Sequence, residues 1–273
     1  MPLVSLKEIL PDARKNNVAV PAFNVVKFEM IIAAISAAEL EKSPIIIEYT
    51  EGDDKRISLE LIGKFANYLA NKSPIPICVH LDHGMTFDAI KRAVDSGYTS
   101  VMIDASSLSF ETNISEAQKI VNHCKPLGIS VEAELGRIEK GLENYTDLSL
   151  VKRFVEETDI DALAISFGTE HGVYKKEPQL DYDLINKVCC EVSIPLVMHG
   201  GSGINREVYI NVIKNGVSKI NYYSAMSNKV LNKIINKLET DFEIDNRYLQ
   251  DFVDMELTYF IEEMREVIKL FNN

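Results

Sequence analysis

The sequence predicts an α/β fold, a TIM (β/α)8 barrel with an additional C-terminal helix, and three observations carry that expectation. Eight short, β-rich apolar runs alternate with longer stretches of helical period, the mark of a parallel sheet wound through crossover helices. Eight such units fit within 273 residues, the size a barrel of this kind requires. The fingerprint G-x-G-x-x-G, which would favour an open doubly wound sheet, is absent after the first run.

The strand candidates follow in order: VAVPAFN (18–24), IIIEYT (45–50), ICVHLD (77–82), SVMIDAS (100–106), SVEAELG (130–136), ALAISFG (162–168), PLVMHGG (195–201) and SKINYYS (218–224). Helices lie between them. In EMIIAAISAAELEK, Ile31, Ala34, Ile35 and Ala38 recur at helical spacing, and FDAIKRAVDSG ends on Gly97 as a helix C-terminus does. No linker or charge block divides the chain, so residues 1–273 are expected to form one barrel domain. Its helical tail, about 225–273, ends in a helix whose face of Phe252, Phe260, Met264, Val267 and Phe271 packs on the barrel or on a partner subunit.

Composition narrows the function. With 29 Lys and Arg against 41 Asp and Glu, the formal charge of −12 repels nucleic acid and anionic membrane alike. The N-terminus lacks an unbroken apolar segment and no run approaches a membrane span, so a cytoplasmic protein is expected. Cys78, Cys124, Cys189 and Cys190 have neither zinc-ribbon nor C-x-x-C spacing and read as buried free thiols.

Catalytic groups of a parallel barrel sit where its strands end. Unusual polar residues gather there: Asn24, Glu48, Thr50, His80, Asp82, His83, Asp104, Glu132, Glu134, His171, His199, Asn221 and Ser224. Strand alternation puts Cys78, His80 and Asp82 on one face of ICVHLD and Val79 and Leu81 on the other, so His80 and Asp82 point into the barrel. His83 follows at the mouth. Of the five histidines, His83, His171 and His199 fall at the ends of the third, sixth and seventh runs. Three imidazoles converging on one rim suit a catalytic Zn²⁺ that keeps a position for substrate. His80 is read as a supporting histidine inside the barrel, and His123 as surface or packing.

The glycines form a second constellation. HGGSGIN (199–205) follows the seventh run and opens a helix near Asn205, so the backbone N–H groups of Gly200, Gly201 and Ser202 can cradle a phosphate. Asn221 and Ser224, after the eighth run, lie where barrels often complete such a site.

With AFN (22–24), HLDH (80–83), MIDAS (102–106), EAELG (132–136), FGTEHG (167–172), HGGSG (199–203) and KIN (219–221) in this order, the chain resembles the class II, metal-dependent ketose-bisphosphate aldolases, of the fructose- and tagatose-bisphosphate type. The resemblance implies Zn²⁺ on His83, His171 and His199, Asp82 as acid/base, and Asp104 and Glu134 at an alternative or second metal position. It further implies Asn24, Thr50, Gly172, Gly200, Gly201, Ser202, Asn221 and Ser224 around the substrate, with dihydroxyacetone phosphate on Gly172, Gly200, Ser202, Asn221 and Ser224. A monovalent cation, Na⁺ or K⁺, is implied near that phosphate, with a sugar phosphate as partner, a homodimer or homotetramer as assembly, and carbohydrate metabolism such as glycolysis as setting. An enediolate beside a metal needs no Schiff base; strand six offers no lysine for one, and Lys219 is the lone candidate.

The chain departs from the family at three places. The loop after EAELG reads GRIEKGLENYTD, short and poor in glycine, with Glu143 as the expected mobile base and Glu139 as competitor. Bulky Tyr222 and Tyr223 stand beside the phosphate region. Glu48 falls where the far end of the substrate is expected, and would repel a phosphate unless it turns away or pairs with Lys55, Arg56 or Arg137. A ketose phosphate with a different distal group and a non-catalytic sugar-phosphate-binding barrel are therefore the alternatives, whereas a barrel hydrolase would show H-x-H after the first strand, where AFN stands.

Overall fold

A computed structural model describes residues 3–138, 145–172, 174, 177–240 and 248–272. Eight parallel strands, β1 (Val20–Asn24), β2 (Ile45–Thr50), β3 (Ile77–Gly84), β4 (Ser100–Ile103), β5 (Ser130–Leu135), β6 (Ala162–Ile165), β7 (Leu196–Met198) and β8 (Val217–Tyr222), close into a barrel in chain order. The helices that wrap it are α2 (Phe28–Glu41), α3 (Leu59–Ala70), α4 (Phe87–Asp95), α5 (Phe110–Cys124), α6 (Leu148–Thr158), α7 (Tyr182–Glu191), α8 (Arg206–Lys214) and α9 (Ser224–Thr240). Gly97, just past α4, takes φ +91°, the left-handed turn that stops a helix.

Alternation along the strands builds two separate cores. Phe23, Ile47, Val79, Leu81, Val101, Val131, Leu163, Met198 and Ile220 face outward into the helix layer. Val20, Ala22, Ile46, Cys78, Ala162, Ala164 and Val197 face inward and fill the lower barrel. Above that apolar floor the inward positions turn polar: the register sets Glu48 beside His80 and Thr50 beside Asp82. Asn24 sits next to Glu48 and Met102 next to Glu132.

Several strands stop short of the apolar runs that predict them. β6 ends at Ile165 because Ser166 turns its N–H to Thr146 Oγ1 (2.8 Å) and its carbonyl to Thr146 N (2.8 Å). β4 and β7 likewise end at Ile103 and Met198, whereas β3 runs on to Gly84 through a register shift against β4.

The strand-helix pattern does not anticipate α1 (Leu6–Asn16), which lies ahead of β1. Glu8 Oε2 accepts from Ser5 N at 2.7 Å to start it, and Asn17 ends it with φ +52°. Its Leu6 and Leu10, both 0% exposed, cap the inner apolar core from below. Arg14 fastens it by donating to the carbonyls of Cys189 (2.7 Å), Val192 (2.8 Å) and Ile194.

The tail forms α9 and then α10 (Leu249–Phe271), which lies along α2. Phe260, Met264, Val267 and Phe271 of its expected apolar face are buried on the barrel, and Phe252 is left 39% exposed. Arg265 reaches Glu41 at 2.6 Å and the Phe271 carbonyl accepts from Ala19 N at 3.0 Å, so the helix is tied to the sheet by backbone as well as side chains. Among the described residues no helix is long and apolar enough to cross a membrane.

Because α1 and the inner floor share one core far from the strand ends, Leu10→Ala is expected to lower unfolding free energy by about 2–5 kcal/mol in urea titrations.

Candidate active site

The site starts from a bend in β3. Asp82 points inward and is 3% exposed, and the next residue, His83, takes φ +47°, a left-handed conformation costing a side-chain-bearing residue on the order of 1–3 kcal/mol. Two contacts hold it there. Gly84 passes so close to the sheet that a Cβ would stand 2.6 Å from the Met102 carbonyl, and its own carbonyl accepts from Asp104 N at 2.8 Å. The turn puts Asp82 and His83, neighbours in sequence, on one cavity wall instead of opposite faces of a strand.

His83 and His199 are each oriented by a carboxylate. His83 Nδ1 lies 2.7 Å from Asp104 Oδ2, and His199 Nε2 lies 2.8 Å from Glu132 Oε1. A carboxylate accepts, so these ring nitrogens carry the protons, and His83 Nε2 and His199 Nδ1 face each other at 3.1 Å. Two lone pairs repel at that distance, so a proton or a metal ion must stand between them. His171 completes the group: its ring centroid is 5.1 Å from that of His83 and 6.1 Å from that of His199. One donor atom from each of the three lies within 4.8 Å of the others, and an all-imidazole set of this spread fits Zn²⁺. His83, Asp104 and Glu134 form a second such group sharing His83.

The electrostatics follow from burial against charge. Burial opposes protonation of His83, but Asp82 beside it and the hydrogen bond to Asp104 outweigh burial and push it up to about 10. Burial and the charge of His83 hold His199 well below its ordinary value, and His171 is lowered for the same reasons. Burial would raise Asp82, yet the positive charges of His83 and Lys219 and a hydrogen bond from Asn24 bring it down to about 2. Asn24 Nδ2 (2.8 Å) and Asn221 Nδ2 (3.1 Å) grip its two oxygens, leaving an aimed, ionised carboxylate. Burial and the nearby Asp104 raise Glu134 to about 8.

A cavity of about 260 Å³ opens beside Asp82, His83 and His171. Asn24, Thr50, Gly172, Gly200, Gly201, Ser202, Asn221 and Ser224 all line it, so every residue expected around the substrate meets in one place. Gly200 (φ +66°) packs so tightly that a Cβ would meet the Glu170 carbonyl at 2.5 Å. Tyr174 binds the two loops, accepting from Glu170 N at 2.7 Å and donating to the Gly200 carbonyl at 2.8 Å. Tyr209 donates to the Gly201 carbonyl, and Ser202 Oγ accepts from Tyr223 N at 2.8 Å. The helix after this loop starts at Arg206 with Asn205 as its cap, and α9 begins on Ser224 itself. On the far side of His83 and His171 lies a second cavity of about 560 Å³, reached by Met85, Ser106, Leu108 and Arg137.

The structure decides between the alternatives for Glu48, which turns away, and corrects the expectation for Tyr222. Glu48 does not reach the distal end of the cavity or pair with Lys55, Arg56 or Arg137: it is 0% exposed inside the barrel, its Oε1 2.6 Å from Lys219 Nζ. Burial raises it to about 8 against the pull of that ammonium. Tyr222 turns outward against Tyr209 and Phe271, so of the two tyrosines Tyr223 alone lines the cavity. Lys219 also contacts Glu132 at 2.9 Å, and although burial opposes its charge, the two carboxylates raise it and keep it an ammonium, unsuited to a Schiff base. Glu48, His80 and Asp82 form a further donor group buried beneath the site, and the Lys219 ammonium stands against its Glu48 carboxylate. His80 points inward as alternation predicts, Nδ1 2.8 Å from Ser100 Oγ, and His123 packs edge-on against Phe87.

Glu143 and its competitor Glu139 lie outside the described residues. Sequence reasoning assigned no role to Tyr174 or to Asp53, which lines the cavity, and placed Glu132 at a strand end without its contact to His199. The alternation E-x-E in EAELG carried that signal, since two residues apart on a strand share a face.

Comparison with known proteins agrees with this geometry. The family described as "Fructose-bisphosphate aldolase class-II" matches residues 4–273. A fructose-bisphosphate aldolase of Staphylococcus aureus is 40% identical over 232 residues, 81% of either chain. The YdjI aldolase of Escherichia coli K12 superposes with a TM-score of 0.88 at 34% identity, over 98% of this chain and 97% of that one. A structure described as a putative fructose-1,6-bisphosphate aldolase from Coccidioides immitis gives 0.87 at 29% identity, over 97% and 94%. With a family match along almost its whole length and a metal-ready trio of imidazoles beside an ionised aspartate, the chain belongs to the class II fructose-bisphosphate aldolases and is an aldolase, a carbon-carbon lyase.

Proposed function

We propose that this aldolase reversibly cleaves a ketose 1,6-bisphosphate of the fructose or tagatose type, releasing dihydroxyacetone phosphate and an aldehyde such as glyceraldehyde 3-phosphate. The observation that carries this reading is the single cavity in which Asp82, His83 and His171 face the Gly200–Gly201–Ser202 loop. Its apparatus for charge and its apparatus for phosphate are only a small molecule apart. All four cysteines are free, Cys78 and Cys124 buried as expected but Cys189 half-buried and Cys190 exposed at the end of α7; free thiols accord with a cytoplasmic setting, and the reading takes the protein as a homodimer or homotetramer.

His83, His171 and His199 would hold Zn²⁺, with Asp104 and Glu134 as a second or alternative position, and the ion supplies Lewis-acid stabilisation of the charge that builds on the ketose oxygens. The chain does the rest. Gly172, Gly200, Gly201, Ser202, Asn221 and Ser224 hold the phosphate, with a monovalent cation beside it, and the N-terminus of α9 at Ser224 adds a favourable dipole. Asn24 and Thr50 flank the sugar chain. Asp82, ionised and held by Asn24 and Asn221, takes the proton of the C4 hydroxyl as the C3–C4 bond breaks, and returns it in the condensation direction. Glu143, with Glu139 as the alternative, moves the C–H proton of dihydroxyacetone phosphate.

Glu48 leaves the distal half of the substrate free of a repelling carboxylate, since it turns onto Lys219 inside the barrel. A ketose phosphate with another distal group is the second reading, favoured by the fact that the likenesses above divide between fructose-bisphosphate aldolases and an aldolase whose name states no substrate.

Asp82→Asn should reduce turnover about 10²- to 10⁴-fold while the protein still takes up zinc, measured by a coupled assay and metal analysis; a barrel that merely binds sugar phosphates would hardly notice the change. Metal uptake must displace the proton held by His83, whose value stands near 10, so apparent zinc affinity should climb about tenfold per pH unit between pH 6 and 9. Calorimetric titration at three pH values reads that slope, and a flat profile would contradict the ligand assignment. In a screen of fructose and tagatose 1,6-bisphosphates and related ketose phosphates, dihydroxyacetone phosphate should appear from at least one, cease after chelation and resume on adding zinc. No release from any of them would leave the binding-module reading in its place.

A further inference from the structure

Lys219 is buried, charged and one residue removed from the metal-binding imidazoles, and the chemistry above gives it no part. It projects from β8 into the barrel, 0% exposed, with Nζ 2.6 Å from Glu48 Oε1 on β2 and 2.9 Å from Glu132 Oε2 on β5. The other oxygen of Glu132, Oε1, is the one that receives His199 Nε2 at 2.8 Å. The carboxylate thus has one oxygen on the lysine and one on the histidine.

We propose that Lys219 is a positioning residue for the metal centre, acting through Glu132 to fix which nitrogen of His199 is presented to the ion. The torsion that turns a carboxylate is soft and roughly two-fold, so one contact leaves the direction of its oxygens open. Two contacts on separate oxygens close it. With Oε2 pinned to the ammonium, Oε1 must face His199 Nε2; that nitrogen carries the ring proton, and Nδ1 is left as the lone pair facing His83 Nε2 at 3.1 Å. Glu48 holds the ammonium from β2, so the lysine cannot follow Glu132 if that side chain moves. A lysine that only balanced charge would show the opposite response to its removal, since losing a nearby positive charge favours a bound cation.

The inference rests on His199 being a metal ligand, and the two are tested apart. Zinc affinity of the full chain is measured by competition with a chromophoric chelator, and the His199 tautomer of the metal-free protein from ¹⁵N ring shifts. In Glu132→Gln the charge of Lys219 remains; its ammonium takes the amide oxygen, the NH₂ turns to His199, and the ring proton moves to Nδ1. Zinc affinity should fall about 10- to 100-fold. Lys219→Met should populate both tautomers and weaken zinc by a similar factor despite the lost positive charge. A His199 that stays protonated on Nε2 in Glu132→Gln, or a folded Lys219→Met that binds zinc as tightly as the unmodified protein or more tightly, overturns the role of Lys219. If zinc leaves the His199 resonances of the unmodified protein unmoved, the ligand assignment falls, and with it the metal-directed part of this role. If Lys219→Met does not fold by circular dichroism, Glu132→Gln decides alone, because it is matched in size.

Discussion

The mouth of this barrel depends on holding charge inside an interior that water does not reach. Stranded, each of Glu48, Asp82, Glu132 and Lys219 would carry a heavy desolvation cost, and none is stranded. Lys219 sits between two carboxylates contributed by strands on either side of the barrel, and Asp82 is gripped by two amides. His80 avoids the problem by staying neutral, burial holding it well below its usual range. The lower barrel could have been filled with aliphatic side chains throughout, as its floor is; the polar upper storey is retained because the site above needs rigid, pre-aimed groups.

The bend at His83 belongs to the same economy of space. A regular strand would send Asp82 and His83 to opposite faces. The left-handed turn, admitted by the close passage of Gly84 over the Met102 carbonyl, brings the aspartate and the imidazole onto one cavity. Strain of this kind persists where surrounding contacts over-determine it, and Asp104 supplies two: its N–H to Gly84 and its carboxylate to His83. One residue of β4's end therefore fixes both the backbone and the ring.

The barrel was legible in the sequence because both of its signals are local. Alternation in ICVHLD assigned His80 and Asp82 to the interior, and the polar strand ends named the three imidazoles that the structure brings together. What could not be read was set by tertiary packing. α1 is a short amphipathic helix whose meaning appears only once there is a barrel floor for Leu6 and Leu10 to cap. Glu48 was placed near the distal substrate because its partner, Lys219, lies 171 positions along the chain and becomes its neighbour only when β8 closes on β1. Tyr174 looks like any loop tyrosine until Glu170 and Gly200 are adjacent. Strand ends were overrun where a side chain such as Thr146 captures the ladder's hydrogen bonds, an event with no local marker.

The shared register of the strands has a consequence for how such a protein can change. The same residues that stack the apolar floor also set, two positions further on, the polar storey and then the rim, as Ile46, Glu48 and Thr50 do on β2 and Cys78, His80 and Asp82 on β3. Inserting or deleting one residue within a strand would exchange inside for outside along everything beyond it, destroying floor and chemistry at once. The loops carry no such constraint. Change of specificity is thus channelled to the segments around the rim, while the length of each strand beneath them is fixed by the floor and the chemistry it carries together.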